Sequence, residues 1–120
     1  MAKSTTIFYR RIVRSCGFSL QGLRATFREE EAFRVEVVLA LLLIPLGIFL
    51  GETGAEKSLL AGSIILVLIA ELVNSAVESV VNRIGSEQHE LAGRAKDQGS
   101  AAVFLALIQV PLVWGLILFL

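Results

Sequence analysis

Glu71, Asn74, Ser75, Glu78 and Asn82 follow the apolar run 59–70 at spacings i, i+3, i+4, i+7 and i+11, with no Pro or Gly between them. At about 100° per residue they share one stripe of a helix, and Leu72, Val73, Val77, Val80 and Val81 take the other faces. A carboxylate inside a membrane-length segment costs on the order of 2.5–3.5 kcal/mol, so two on one face require a cation, a metal or a water-filled cleft. Glu71 and Glu78, joined by an acid from the cluster at 29–36, offer hard oxygen ligands that suit magnesium. Magnesium beside basic residues at a membrane surface points to phosphoryl transfer, where positioning and charge neutralisation supply most of the catalysis. In a partly dry site Glu71 suits taking a proton from an alcohol. The same seam also suits an ion or proton pathway, and the residues alone leave both readings open.

The remaining inventory narrows the chemistry. There is no G-x-x-x-x-G-K-[ST] loop and no G-x-G-x-x-G after a strand, and His89 and Cys16 are the sole His and Cys. Zinc sites, Rossmann cofactors and thiol nucleophiles are disfavoured accordingly. Eleven Lys and Arg balance eleven Asp and Glu, so no net charge argues for nucleic acid. The N-terminus lacks the early apolar core and small-residue cleavage site of a signal peptide and is expected to be retained.

The elements that must position the seam follow from hydropathy. The 120 residues are 55% hydrophobic with a mean hydropathy of +0.74, which predicts one all-α membrane domain over residues 1–120. Residues 4–33 read as one or two amphipathic interfacial helices, with Ile7, Phe8, Ile12, Val13 and Cys16 opposite Arg10, Arg11 and Arg14, and with Gly17 and Gly22 as interruptions. Three spans are predicted at about 32–50, 59–82 and 99–120, joined by a tight loop at 51–58 and a polar connection at 83–98. Starting the first span near Ala32 draws Phe33, Arg34 and Glu36 to the headgroup level, while at least two of Glu29, Glu30 and Glu31 read as a solvated helix start. Six Lys and Arg precede the first span and a seventh, Arg34, lies at its headgroup end, while one lies in the first loop and three in the second. That bias predicts a cytoplasmic N-terminus and second loop, so the seam, the 29–36 cluster and Arg94, Lys96 and Asp97 meet on one membrane face. Small residues at 61–63 and 99–102 are the expected helix contacts. Three such helices enclose little by themselves, which predicts a homo-oligomer with sites between protomers.

The run ELVNSAVESVVNRIGSEQHELAGRAKDQGSAA at 71–102, with GLRATF at 22–27 and EAFRVE at 31–36, closely resembles the small prokaryotic integral-membrane diacylglycerol kinase family. The resemblance covers nearly the whole chain, and an E-x-x-N-S-A-x-E segment followed by G-R-A-K-D is highly specific. It implies a homotrimer with composite sites and transfer of the γ-phosphate of MgATP to the hydroxyl of diacylglycerol, giving phosphatidate at the inner membrane. Position by position, it implies Glu71 as general base on the lipid hydroxyl, and Glu30 and Glu78 as ligands of the Mg2+ that accompanies ATP. Asn74 and Arg94 are polar residues of the same site, and Lys96 and Asp97 contact the nucleotide phosphates. Glu87, Gln88 and His89 lie near the adenosine, Arg11 near the nucleotide and lipid head, and Phe18 near the nucleotide. Phe33, Arg34, Glu36 and Ser100 accompany Glu71 on the lipid side. The chain departs from the family at Asn82, where Asp is frequent, at Phe18, where Tyr is common, and at Gln88 in a tripeptide often read E-Y-H. The first change makes position 82 structural, and the second removes a hydroxyl from the nucleotide side. The alternatives are an undecaprenol kinase of the same superfamily and, in a different class, a small cation-binding channel or transporter subunit.

Overall fold

Four helices account for nearly all of the computed structural model, which describes residues 2–85 and 90–120: α1 (Ala2–Glu29), α2 (Glu31–Leu50), α3 (Gly54–Ile84) and α4 (Glu90–Phe119). The fold is all-α, and α2, α3 and α4 are each long and apolar enough to cross a membrane.

α3 is the centre of the bundle. Its buried residues Leu60, Ile64, Val67, Glu71, Asn74 and Val81 fall on a repeat of three and four, with Ser63 beside them. A helix whose inward positions recur every seven residues keeps one seam facing its neighbours along its whole length. α2 answers with Phe33, Ala40 and Gly47, spaced by sevens, and α4 with Ala92 and Ala106. The tightest approach is at Gly47, where a Cβ would stand 2.9 Å from Leu60 Cβ and 3.4 Å from the Trp114 ring. Gly47→Ala is therefore expected to lower stability by about 1–3 kcal/mol, because the helices must part to admit the methyl. Thermal unfolding in detergent micelles measures it, and an unchanged melting temperature would contradict this packing.

A polar knot fixes α4 against α3 deep in the apolar layer. Gln109 Nε2 donates to the backbone carbonyls of Ser63 (2.8 Å) and Ala106 (2.7 Å), and Trp114 Nε1 donates to Ser63 Oγ at 2.9 Å. Polar side chains in hydrocarbon must find partners, so the knot resists sliding of one helix along the other. The antiparallel register it sets brings Gly99 onto Asn74 and Ala92 beside Val81.

The structure differs from the hydropathy reading in four respects. α1 runs unbroken through Gly17 and Gly22, where a Cβ would meet nothing within 4 Å. A glycine in a helix interior costs about 1 kcal/mol relative to Ala and does not by itself end the helix. The first loop shrinks to residues 51–53, because Thr53 Oγ1 accepts from Glu56 N while Glu56 Oε1 accepts from Glu52 N, which starts α3 at Gly54. The polar stretch before the third span is helical from Glu90 onward, since hydropathy marks where a membrane begins and not where a helix does. Of the small residues expected at contacts, Ser63 and Gly99 make them, whereas Gly62 is exposed with open space around it. α3 ends at Gly85, whose φ of 98° suits glycine.

α1 stands apart. Three antiparallel helices fill only about 20–25 Å across at usual interaxial distances. The extents of 50 × 47 × 24 Å therefore require the 28-residue α1 to extend sideways from the bundle. Its large apolar residues Ile7, Phe8, Ile12, Phe18 and Leu20 are exposed, a pattern compatible with the expected amphipathic interfacial helix.

Candidate functional site

The 31 residues of α3 span about 46 Å at 1.5 Å per residue, against a hydrocarbon layer of about 30 Å. Its polar half therefore reaches the headgroup level while remaining one continuous helix. Within that half the expected stripe divides. Glu71 and Asn74 are buried, each 8% exposed, Ser75 and Glu78 are half-buried, and Asn82 is exposed. Burial follows the inward repeat of α3, which takes in positions 71, 74 and 78 and turns 82 outward.

The second source of the site is the break between α1 and α2. Glu30 alone lies outside both helices, with φ −120° and ψ 117°, and its carboxylate accepts a short hydrogen bond from Ser75 Oγ. Arg34 Nη1 donates to the carbonyls of Phe27 (3.0 Å) and Arg28 (2.8 Å), satisfying the end of α1 and holding the corner. Phe33 packs beneath it at 2% exposure. Glu29 and Glu31 are exposed, so among the three consecutive acids only Glu30 is turned to α3.

One turn and a half into α2, Glu36 lies within hydrogen-bonding reach of Glu71, and its Oε2 is buried without a partner. Glu36 also borders an apolar cavity of ≈ 220 Å³ between α2, α3 and α4, lined by Leu39, Leu43, Val67, Leu107 and Pro111 among others. The charges that bear on Glu36 and Glu71 come from Glu30, Glu78 and each other, all carboxylates. On the far side of Glu71, Asn74 Nδ2 donates to Glu78 Oε1 at 3.2 Å. Carboxylates gathered at the edge of a low-dielectric layer repel one another and attract a hard cation. Among the described residues no three His, Cys, Asp or Glu side chains are grouped tightly enough to enclose a metal. Such enclosure is unnecessary for magnesium, which keeps several waters and uses one or two carboxylates together with substrate phosphates. The donor set suits such an ion.

α4 contributes the basic groups. Lys96 lies between Ala92, beside Val81, and Gly99, on Asn74, so it stands near the level of Glu78 and is half-buried. Asp97, Arg94 and Ser100 are exposed on the same turns. Arg11 and Phe18 lie on α1, exposed and away from the carboxylates of this protomer, with Phe18 at 63% exposure. Glu87, Gln88 and His89 lie outside the described residues. The residue pattern placed Gly99 at a helix contact without identifying Asn74 as its partner and missed Gln109, because both depend on a pairing of α3 with α4 that no local pattern displays.

A family model described as prokaryotic diacylglycerol kinase matches residues 17–118. A protein named diacylglycerol kinase from Haemophilus influenzae is 56% identical over 119 residues, covering 99% of either chain. One of the same name from Escherichia coli K12 is 48% identical over 118 residues, 98% of this chain and 96% of the relative. A third, from Pseudomonas aeruginosa, is 44% identical over 109 residues, 91% and 89% of the two chains.

Proposed function

The chain belongs to the prokaryotic diacylglycerol kinase family, and from that premise we propose how its residues carry out phosphoryl transfer from ATP to the lipid hydroxyl. It is a diacylglycerol kinase with three membrane-spanning helices. The observation that carries the mechanism is the position of Glu71, buried beside Glu36 where an apolar cavity between the helices meets the carboxylate seam.

Diacylglycerol enters with its acyl chains against α2 and α4, and its hydroxyl comes to the polar end of that cavity. Glu71 takes the hydroxyl proton as the lipid oxygen bonds to the γ-phosphorus, and the bond from that phosphorus to the bridging oxygen breaks to release ADP. Glu30 and Glu78 would hold Mg2+, which when bound neutralises charge on the phosphates. Ser75 and Asn74 fix those two carboxylates through the hydrogen bonds described above. Glu36 orients Glu71, while Phe33 and Arg34 hold the corner from which Glu30 and Glu36 project. Lys96 and Asp97 meet the nucleotide phosphates, with Arg94 and Ser100 on adjacent turns. Arg11 and Phe18, remote from the carboxylates of their own protomer, would meet the nucleotide across a protomer boundary in a homotrimer, and Glu87, Gln88 and His89 are the further residues given to the adenosine. Lys and Arg are concentrated before α2 and after α3, which supports an inner-membrane protein with its N-terminus and site facing the cytoplasm.

The test is ATP consumption in mixed micelles with magnesium, comparing diacylglycerol, undecaprenol and no added lipid. Stimulation by diacylglycerol alone is expected. Preference for undecaprenol would overturn the substrate, and absence of lipid-stimulated turnover in folded protein would overturn the kinase mechanism.

A further inference from the structure

Asn74 Oδ1 is buried without a hydrogen-bond partner, in a side chain 8% exposed. It faces Gly99 of α4 so closely that a Cβ built on Gly99 would overlap it, with Asn74 Cγ 3.3 Å from the same point. The hydrogen that Gly99 carries in place of a side chain is thus aimed at Oδ1. Contacts between Cα–H and a carbonyl oxygen recur where helices approach closely, and in a dry interface they offer a weak partner to an otherwise orphaned acceptor. With the oxygen held against α4, the amide nitrogen of Asn74 is left to Glu78, to whose Oε1 it donates at 3.2 Å. The alternative rotation would set Nδ2 against an aliphatic hydrogen and oppose two oxygens at Glu78.

We propose that Gly99 is a positioning residue for Glu78, acting through the carboxamide of Asn74, and that glycine is required at 99 for this and not for backbone freedom. The inference rests on the reading of Glu78 as a magnesium ligand. Gly99 lies inside α4 with ordinary helical neighbours on both sides. Of the glycines described, only 47, 51 and 99 have any atom within 4 Å of an added Cβ, and only at Gly99 is the nearest atom that of a site side chain. A methyl there would turn the carboxamide aside and take the donor from Glu78.

The experiment is a double-mutant cycle of Gly99→Ala and Asn74→Ala in purified, folded protein, read two ways. Thermal unfolding without nucleotide reports packing, and Mn2+ binding, followed by electron paramagnetic resonance with a non-hydrolysable ATP analogue, reports the metal ligands. Gly99→Ala is expected to weaken Mn2+ binding about tenfold and to lower the melting temperature. On the Asn74→Ala background it should do neither, since the group it displaces is gone. If Gly99→Ala alone does not fold, the comparison of Asn74→Ala with the double variant carries the test, and failure of the double variant to fold overturns the inference. Binding as in the parent, or a Gly99→Ala loss that persists undiminished on Asn74→Ala, overturns the part given to Gly99 and leaves the metal site standing. Unaltered Mn2+ binding in Asn74→Ala overturns the inference together with the metal reading of Glu78.

Discussion

Replacing Glu71 by Gln is expected to lower kcat by about 10²–10⁴-fold, the usual contribution of a positioned general base, with KM for ATP and lipid changing little. Gln keeps the size and the capacity to hydrogen-bond with Glu36, so packing around a residue only 8% exposed should survive. The substitution removes the one property the mechanism asks of this position, acceptance of a proton from the lipid hydroxyl. It also removes one of the like charges facing Glu36, Glu30 and Glu78, so thermal stability should be equal to or above that of the parent. Loss of turnover with stability retained is therefore the distinguishing pair of results. A variant with kcat within tenfold of the parent would show that the proton leaves by another route.

Glu30→Gln is expected to reduce kcat by about 10²–10³-fold and to raise the magnesium concentration needed for half-maximal rate, as loss of a metal-binding carboxylate should. The position has a structural duty as well, because its carboxylate ties the α1–α2 corner to Ser75 of α3. Ser75→Ala separates the two. It breaks the tie and leaves the carboxylate, at a cost of about 1.5–3 kcal/mol in stability for a hydrogen bond to a charged acceptor, with a much smaller effect on magnesium dependence. Equal kinetic losses in the two variants would show that the corner, and not the metal, is what Glu30 serves. Steady-state rates over a magnesium titration, with thermal unfolding alongside, measure both.

The parts of this site that could be read from the chain are those whose geometry is local. Glu71, Asn74, Ser75 and Glu78 share a stripe because helical period alone puts them there, and a single helix carries all four. Asn82 fits the same stripe yet faces outward, because the inward repeat of a packed helix drifts relative to a straight one. Glu30 could not be told from Glu29 and Glu31 by composition. What singles it out is a one-residue break between two helices, and that break is held by Arg34 reaching back to the carbonyls of Phe27 and Arg28. The knot of Ser63, Gln109 and Trp114 joins positions 46 and 51 residues apart, and no window along the sequence contains it. The first turns of α4 were hidden for a different reason. Glu90, Arg94, Lys96 and Asp97 are polar enough to read as a connection, although the Ala-containing stretch that holds them is a sound helix former outside the membrane.

The break at Glu30 also has a mechanical meaning. α1 is an arm about 42 Å long, at 1.5 Å for each of its 28 residues, attached at one end. If undulation of the leaflet swings the arm through about 5°, its tip travels roughly 3.7 Å by simple proportion to that length. A carboxylate about 4 Å from the pivot then moves only about 0.3 Å, on the order of an ordinary thermal displacement. Placing Glu30 at the fulcrum lets the arm sweep widely while the carboxylate keeps its place against Ser75.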